Sequence, residues 1–130
     1  MATIEVELPV NPESSRRARE CLEPLRNALD EAIFVDLRLI VSELVAEAVG
    51  HAGTHNMALT CALRDDHVWV SVAEGADAFR LSPHPSEPGA RGWSIYLVQR
   101  LTRRWGIRRE KAHTSRIWFE MPLAEEVDGS

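Results

Sequence analysis

The chain has only two cysteines in 130 residues, Cys21 and Cys61, with no CxxC spacing, which leaves no disulfide framework and no cysteine-based zinc site. Both thiols fit a reducing compartment and read as buried or bystander groups. No apolar run approaches the roughly 20 residues that span a bilayer. The opening MATIEVELPV lacks the basic start and long apolar core of a signal peptide, so a cytoplasmic location without membrane contact is expected. No segment repeats, and no basic motif is interleaved with aromatics, which argues against nucleic acid as a partner.

What is present suits one globular domain. With 45% hydrophobic and 27% charged residues, the chain can bury roughly two-thirds of its unfolded surface. A single domain is expected over residues 1–123, followed by a flexible acidic tail over 124–130. The net charge of −5 is unevenly spread. Between Arg91 and Lys111 stand six arginines and one lysine against the single acid Glu110, a basic region that reads as a solvated face or a surface for an acidic protein.

The order of elements reads as α+β. Ile4, Val6 and Leu8 alternate with Thr3, Glu5 and Glu7, the period of a half-buried strand. Asn11-Pro12-Glu13 opens a helix running to about Asp30 with a kink at Pro24, and a long second helix begins near Ile33 or Asp36 and ends between Gly50 and Gly53. Met57 to Leu63 and His67 to Ala73 form a hairpin across Arg64-Asp65-Asp66. A proline-bearing loop from Glu74 to Ala90 is long enough to suggest function or disorder. A third helix from about Gly92 to Arg104 and strands over Trp105 to Arg109 and Ser115 to Met121 complete the order.

The most telling segment is LIVSELVAEAVGHAGT, Leu39 to Thr54. Glu43, Glu47 and His51 lie four apart, so successive side chains drift by only about 40° and share one stripe of the second helix. Leu37, Ile40, Val41, Leu44 and Ala48 supply its apolar stripe. The polar line reads as a solvated surface, as the wall of a polar pocket, or as a set of metal ligands in its own right.

Together with GARGWSIYLVQRLTRRWG and the closing RIWFEMP, SELVAEAVGHAGT resembles motifs of the gyrase, histidine-kinase and MutL ATPase superfamily, and within it the bacterial anti-sigma factor serine kinases. The likeness spans Leu8 to Met121. It implies the Bergerat fold, a two-layer sandwich with a mixed, mainly antiparallel sheet and helices on one face. It also implies a homodimer formed through the first strand and its neighbouring surfaces, and a sigma factor or anti-anti-sigma (STAS) protein as partner.

Residue by residue, the resemblance makes Glu43 the base for phosphoryl transfer, while Glu47 replaces the asparagine that holds Mg²⁺ on the nucleotide. His51 completes that helix motif. Glu74, Ala76 and Ala78 stand where the family has the aspartate that reads adenine and two glycines of a DxGxG loop. Gly89, Gly92 and Ser94 match the last glycine motif, with Ser94 in place of its final glycine and able to cap the helix that receives phosphate. A carboxylate at position 47 would repel a triphosphate by about 4 kcal/mol at ~4 Å and an effective dielectric near 20, unless the metal lies between them. Mg²⁺ does accept carboxylates. Methyl groups at Ala76 and Ala78 cost about 1 kcal/mol or more each where backbone must turn left-handed. The expectation is therefore a family fold with a decayed ATP pocket and no resident cofactor, in a partner-switching regulator resembling an anti-sigma factor. The alternative is an active ATP-dependent serine protein kinase that phosphorylates an anti-anti-sigma partner, with Glu47 as a Mg²⁺ ligand.

Overall fold

A computed structural model describes residues 2–51, 56–75, 92–110 and 114–125, with the backbone alone described at His51. Strand β1 spans Thr3–Leu8, helix α1 Ser14–Cys21, helix α2 Glu31–His51, strand β2 Met57–Leu63 and strand β3 His67–Glu74. Helix α3 spans Trp93–Leu101, strand β4 Arg104–Arg109 and strand β5 Ser115–Pro122. The five strands form one sheet in the order β1-β2-β3-β5-β4, and all four pairs are antiparallel. The alternation seen in β1 sends Ile4, Val6 and Leu8 toward the core and leaves Thr3, Glu5 and Glu7 exposed.

One continuous core lies between the inner face of the sheet and the helices. Leu8, Met57, Leu59, Val68, Val70, Val72, Ile117 and Phe119 from the strands meet Phe34, Leu37, Ile40, Val41, Leu44 and Val45 from α2. Each of these larger side chains stabilises the fold by roughly 1.5–3 kcal/mol through burial, so α2 holds its place by this packed stripe more than by helix propensity. Cys61 belongs to the same core, and burial pushes its thiol up to about 12. It is therefore an inert, un-ionised group at neutral pH.

The region before α2 departs from the expected kinked helix. Asn11 Oδ1 accepts the Glu13 N–H at 3.0 Å and the Asn11 carbonyl accepts the Ser14 N–H at 3.1 Å, so a turn precedes α1. Helix α1 stops at Cys21, and a separate 3-10 helix covers Glu23–Ala28 with Pro24 in its first turn. Proline lacks the N–H that an α-helix interior needs, and its ring would collide with the carbonyl four residues back, so the chain breaks rather than bends. Helix α2 starts earlier than its apolar pattern suggests, because the Asp30 carbonyl accepts the Phe34 N–H at 2.9 Å and Glu31 suits the positive end of the helix dipole. Asp30 also bonds the chain after β5, its N–H reaching the Leu123 carbonyl at 2.8 Å and its carboxylate the Glu125 N–H at 2.9 Å. The tail beyond that point lies outside the described residues.

Candidate functional site

Helix α2 delivers Glu43 and Glu47 from consecutive turns, and both side chains are half-buried rather than fully solvated. The stripe is therefore not an ordinary outer face. The Glu47 carboxylate reaches across to α3, where its Oε1 accepts the backbone N–H of Gly92 at 3.2 Å. Gly92 caps α3 with φ at 86°, a left-handed conformation that glycine adopts without a side-chain penalty. The free N–H groups and dipole at a helix start make a local positive pole, and here a carboxylate of the same chain sits against it.

Ser94 does not cap this helix. Ser94 lies one residue inside it, 1% exposed, and among the described residues no side chain hydrogen-bonds as its N-cap and the Ser94 hydroxyl meets no hydrogen-bond partner. Gly92 holds the cap position instead, which turns Ser94 inward beside Ile95 and Val98 in the packed side of the helix. Trp93, at the start of α3, packs partly against the core with its ring centroid 5.4 Å from that of Tyr96.

Glu74 is the last residue of β3 rather than the start of a loop. It is 1% exposed, and its Oε1 accepts the hydroxyl of Ser115, the residue opposite it on β5, at 2.5 Å. The Glu74 side chain is thus turned onto the sheet. Ser115 is a partner that the sequence reading missed. Its signal was parity: the inward positions of β5 are Ser115, Ile117, Phe119 and Met121, and those of β3 are Val68, Val70, Val72 and Glu74. A polar residue ends each inward row, and the register sets the two side by side. The candidate positions Ala76, Ala78 and Gly89, and the side chain of His51, lie outside the described residues. Among the described residues no three histidine, cysteine or carboxylate groups gather as metal ligands.

An antiparallel sheet covered on one face by three helices, with a carboxylate of the long helix held against a glycine-capped helix start, defines the class of histidine kinase-like ATPase folds. The description of that family, histidine kinase-like ATPase domain, matches residues 8–119, and the chain belongs to it. The serine-protein kinase RsbW of Oceanobacillus iheyensis is similar at 28% identity over 116 residues, covering 75% of this chain and 73% of that protein. Among solved structures, the RsbU and RsbW domains of Rv1364c from Mycobacterium tuberculosis share the fold with a TM-score of 0.74 at 18% identity. The match covers 95% of this chain and 33% of that one, so this chain spans about one third of the longer protein.

Proposed function

We propose that the chain is a bacterial partner-switching regulator resembling an anti-sigma factor, which binds a sigma factor or an anti-anti-sigma (STAS) protein without needing ATP. The observation that carries this reading is the Glu47 to Gly92 hydrogen bond. The start of α3 is where a nucleotide phosphate would gain helix-dipole and N–H stabilisation, and a carboxylate of the chain already takes that role. A phosphate arriving there would meet like charge, and displacing Glu47 would leave it half-buried without the Gly92 N–H. The likeness to RsbW supports the partner class, and the same resemblance carries a homodimer formed through β1 and a cytoplasmic setting.

A second reading, an active serine protein kinase, rests on a different observation. Glu43 stands half-buried one turn from Glu47, at the position where the family resemblance puts the base, and the left-handed Gly92 brings no side chain of its own to the start of α3. In that reading Glu47 would move to hold Mg²⁺ on bound ATP, and Glu74 would leave Ser115 for the adenine edge.

Thermal melting with ATP or ADP, with and without Mg²⁺, separates the two. A site saturated at 100 times its dissociation constant stabilises the fold by about 2.7 kcal/mol. The regulator reading expects no change in melting temperature, together with saturable binding of a purified sigma factor or STAS protein. A clear upward shift with Mg-ATP, and phosphate transfer to the STAS serine that vanishes in Glu43→Ala, would overturn it in favour of the kinase.

A further inference from the structure

We propose that the free edge of β4 is a docking strand for an extended segment of a partner protein in which acidic and apolar residues alternate. Strand β4 is an outer strand of the sheet, paired only with β5 among the described residues. The hairpin ladder closes with the Glu110 N–H on the Thr114 carbonyl at 2.8 Å. Alternation along an antiparallel pair then points the N–H and C=O groups of Arg108, Gly106 and Arg104 at β5, and those of Trp105 and Ile107 at the open edge. These outward backbone groups are a template for one more strand.

The side chains specify which strand would fit. Arg104 and Arg108 project from the outer face, and Arg108 lies directly opposite Arg116, a like-charge pair that destabilises a sheet unless an anion offsets it. Glu110 engages Arg116 at 2.6 Å, while Arg104 is 68% exposed and only 3.8 Å from Glu120. Arg103 and Arg100, at the start of the strand and the end of α3, are exposed as well. On the other face Trp105 and Ile107 are partly buried and form the rim of the core. A neighbouring strand with acids toward the arginines and apolar side chains beside Trp105 and Ile107 would satisfy both faces, whereas a basic or neutral strand would be repelled or left uncompensated. Arginine on an edge strand blocks indiscriminate pairing and leaves an acidic strand as the partner it admits. Nucleic acid could answer the charge but could not complete the backbone ladder.

The edge is separate from the Glu47–Gly92 contact and rests on the reading above only in taking the partner to be a protein, so nucleotide binding can fail or hold independently. The test uses the full chain and a ten-residue peptide of alternating glutamate and valine. Controls are a peptide of the same composition with the two residue types in separate blocks, and a single-stranded DNA oligonucleotide. We expect the alternating peptide to bind, with affinity falling at least tenfold between 50 and 300 mM salt and at least tenfold in Arg104→Ala/Arg108→Ala, two exposed sites whose loss spares the fold. The Trp105 and Ile107 amides should become protected from hydrogen exchange, and Ile107→Pro, which removes an edge donor but no ladder bond, should abolish that binding. Equal binding of the block peptide, absence of protection at Trp105 and Ile107, or DNA binding with the same arginine dependence would each overturn the proposal. So would self-association that is lost in Arg104→Ala/Arg108→Ala and that the alternating peptide cannot displace, because the acidic strand β1 of a second copy would then be the occupant of this edge.

Discussion

At the scale of single residues, Glu47 decides more than any other side chain described. Its Oε1 accepts the Gly92 N–H at the start of α3, and so it links the long helix to α3. Substitution separates charge from hydrogen bonding. Glu47→Gln keeps an acceptor for the Gly92 N–H and loses the charge–dipole attraction, a loss of about 0.3–1 kcal/mol. Glu47→Ala also leaves that N–H without its partner and should cost roughly 1–3 kcal/mol. Urea titrations of both variants and the parent chain would read the order, and equal midpoints for all three would show that the bond contributes nothing to stability. The buried pair of Glu74 and Ser115 follows the same logic, since each satisfies a polar group that the core would otherwise strand.

At the scale of elements, the apolar periods carried most of the information. Strand β1 follows its alternation and the β2–β3 hairpin forms in the expected place, though β3 is buried on both faces from Val70 onward, and every residue of the expected apolar stripe of α2 is buried, because burial against a sheet enforces period two in strands and a packed seam in helices. The boundaries were less legible. Pro24 ended a helix that a pattern of leucines alone would continue, and the cap of α3 depended on the left-handed Gly92 rather than on the serine two positions later. Such points are set by backbone bonds, which hydrophobic spacing does not encode. The candidate site was legible in part: the spacing of Glu43 and Glu47 showed one shared face, but neither the reach of Glu47 to Gly92 nor the pairing of Glu74 with Ser115 follows from distance along the chain. The β4–β5 hairpin offers a test at this scale. Gly106 has no side chain because Trp118 covers it, and a Cβ there would lie 2.6 Å from Trp118 Nε1 and 3.0 Å from its Cε2. Gly106→Ala must therefore push the indole aside, at a cost of about 1–3 kcal/mol typical of overpacking. Pairing it with Trp118→Ala should remove most of that penalty in a double-mutant cycle, and additive losses would place the strain elsewhere.

At the scale of the whole molecule, helices and sheet share one core, and this sets how the chain should unfold. Residues from β1, α1, α2, β2, β3, α3 and β5 all belong to the same buried cluster, and Asp30 fastens the start of α2 to the chain just past β5. No layer can leave without exposing the apolar face of the other, so a partly unfolded state would lose most of the burial energy while regaining only part of the chain entropy. The tryptophans make this measurable: Trp69, Trp105 and Trp118 lie on strands and Trp93 on α3, whereas far-UV circular dichroism reports chiefly on the helices. Urea unfolding followed by fluorescence and by circular dichroism should give one coincident transition, and two separated midpoints would show that sheet and helices form independent units. The same titration tests the proposed homodimer. Association adds stability that grows with protein concentration, so the midpoint of a dimer should rise between micromolar and hundred-micromolar chain, while a midpoint independent of concentration would make the folded unit a monomer.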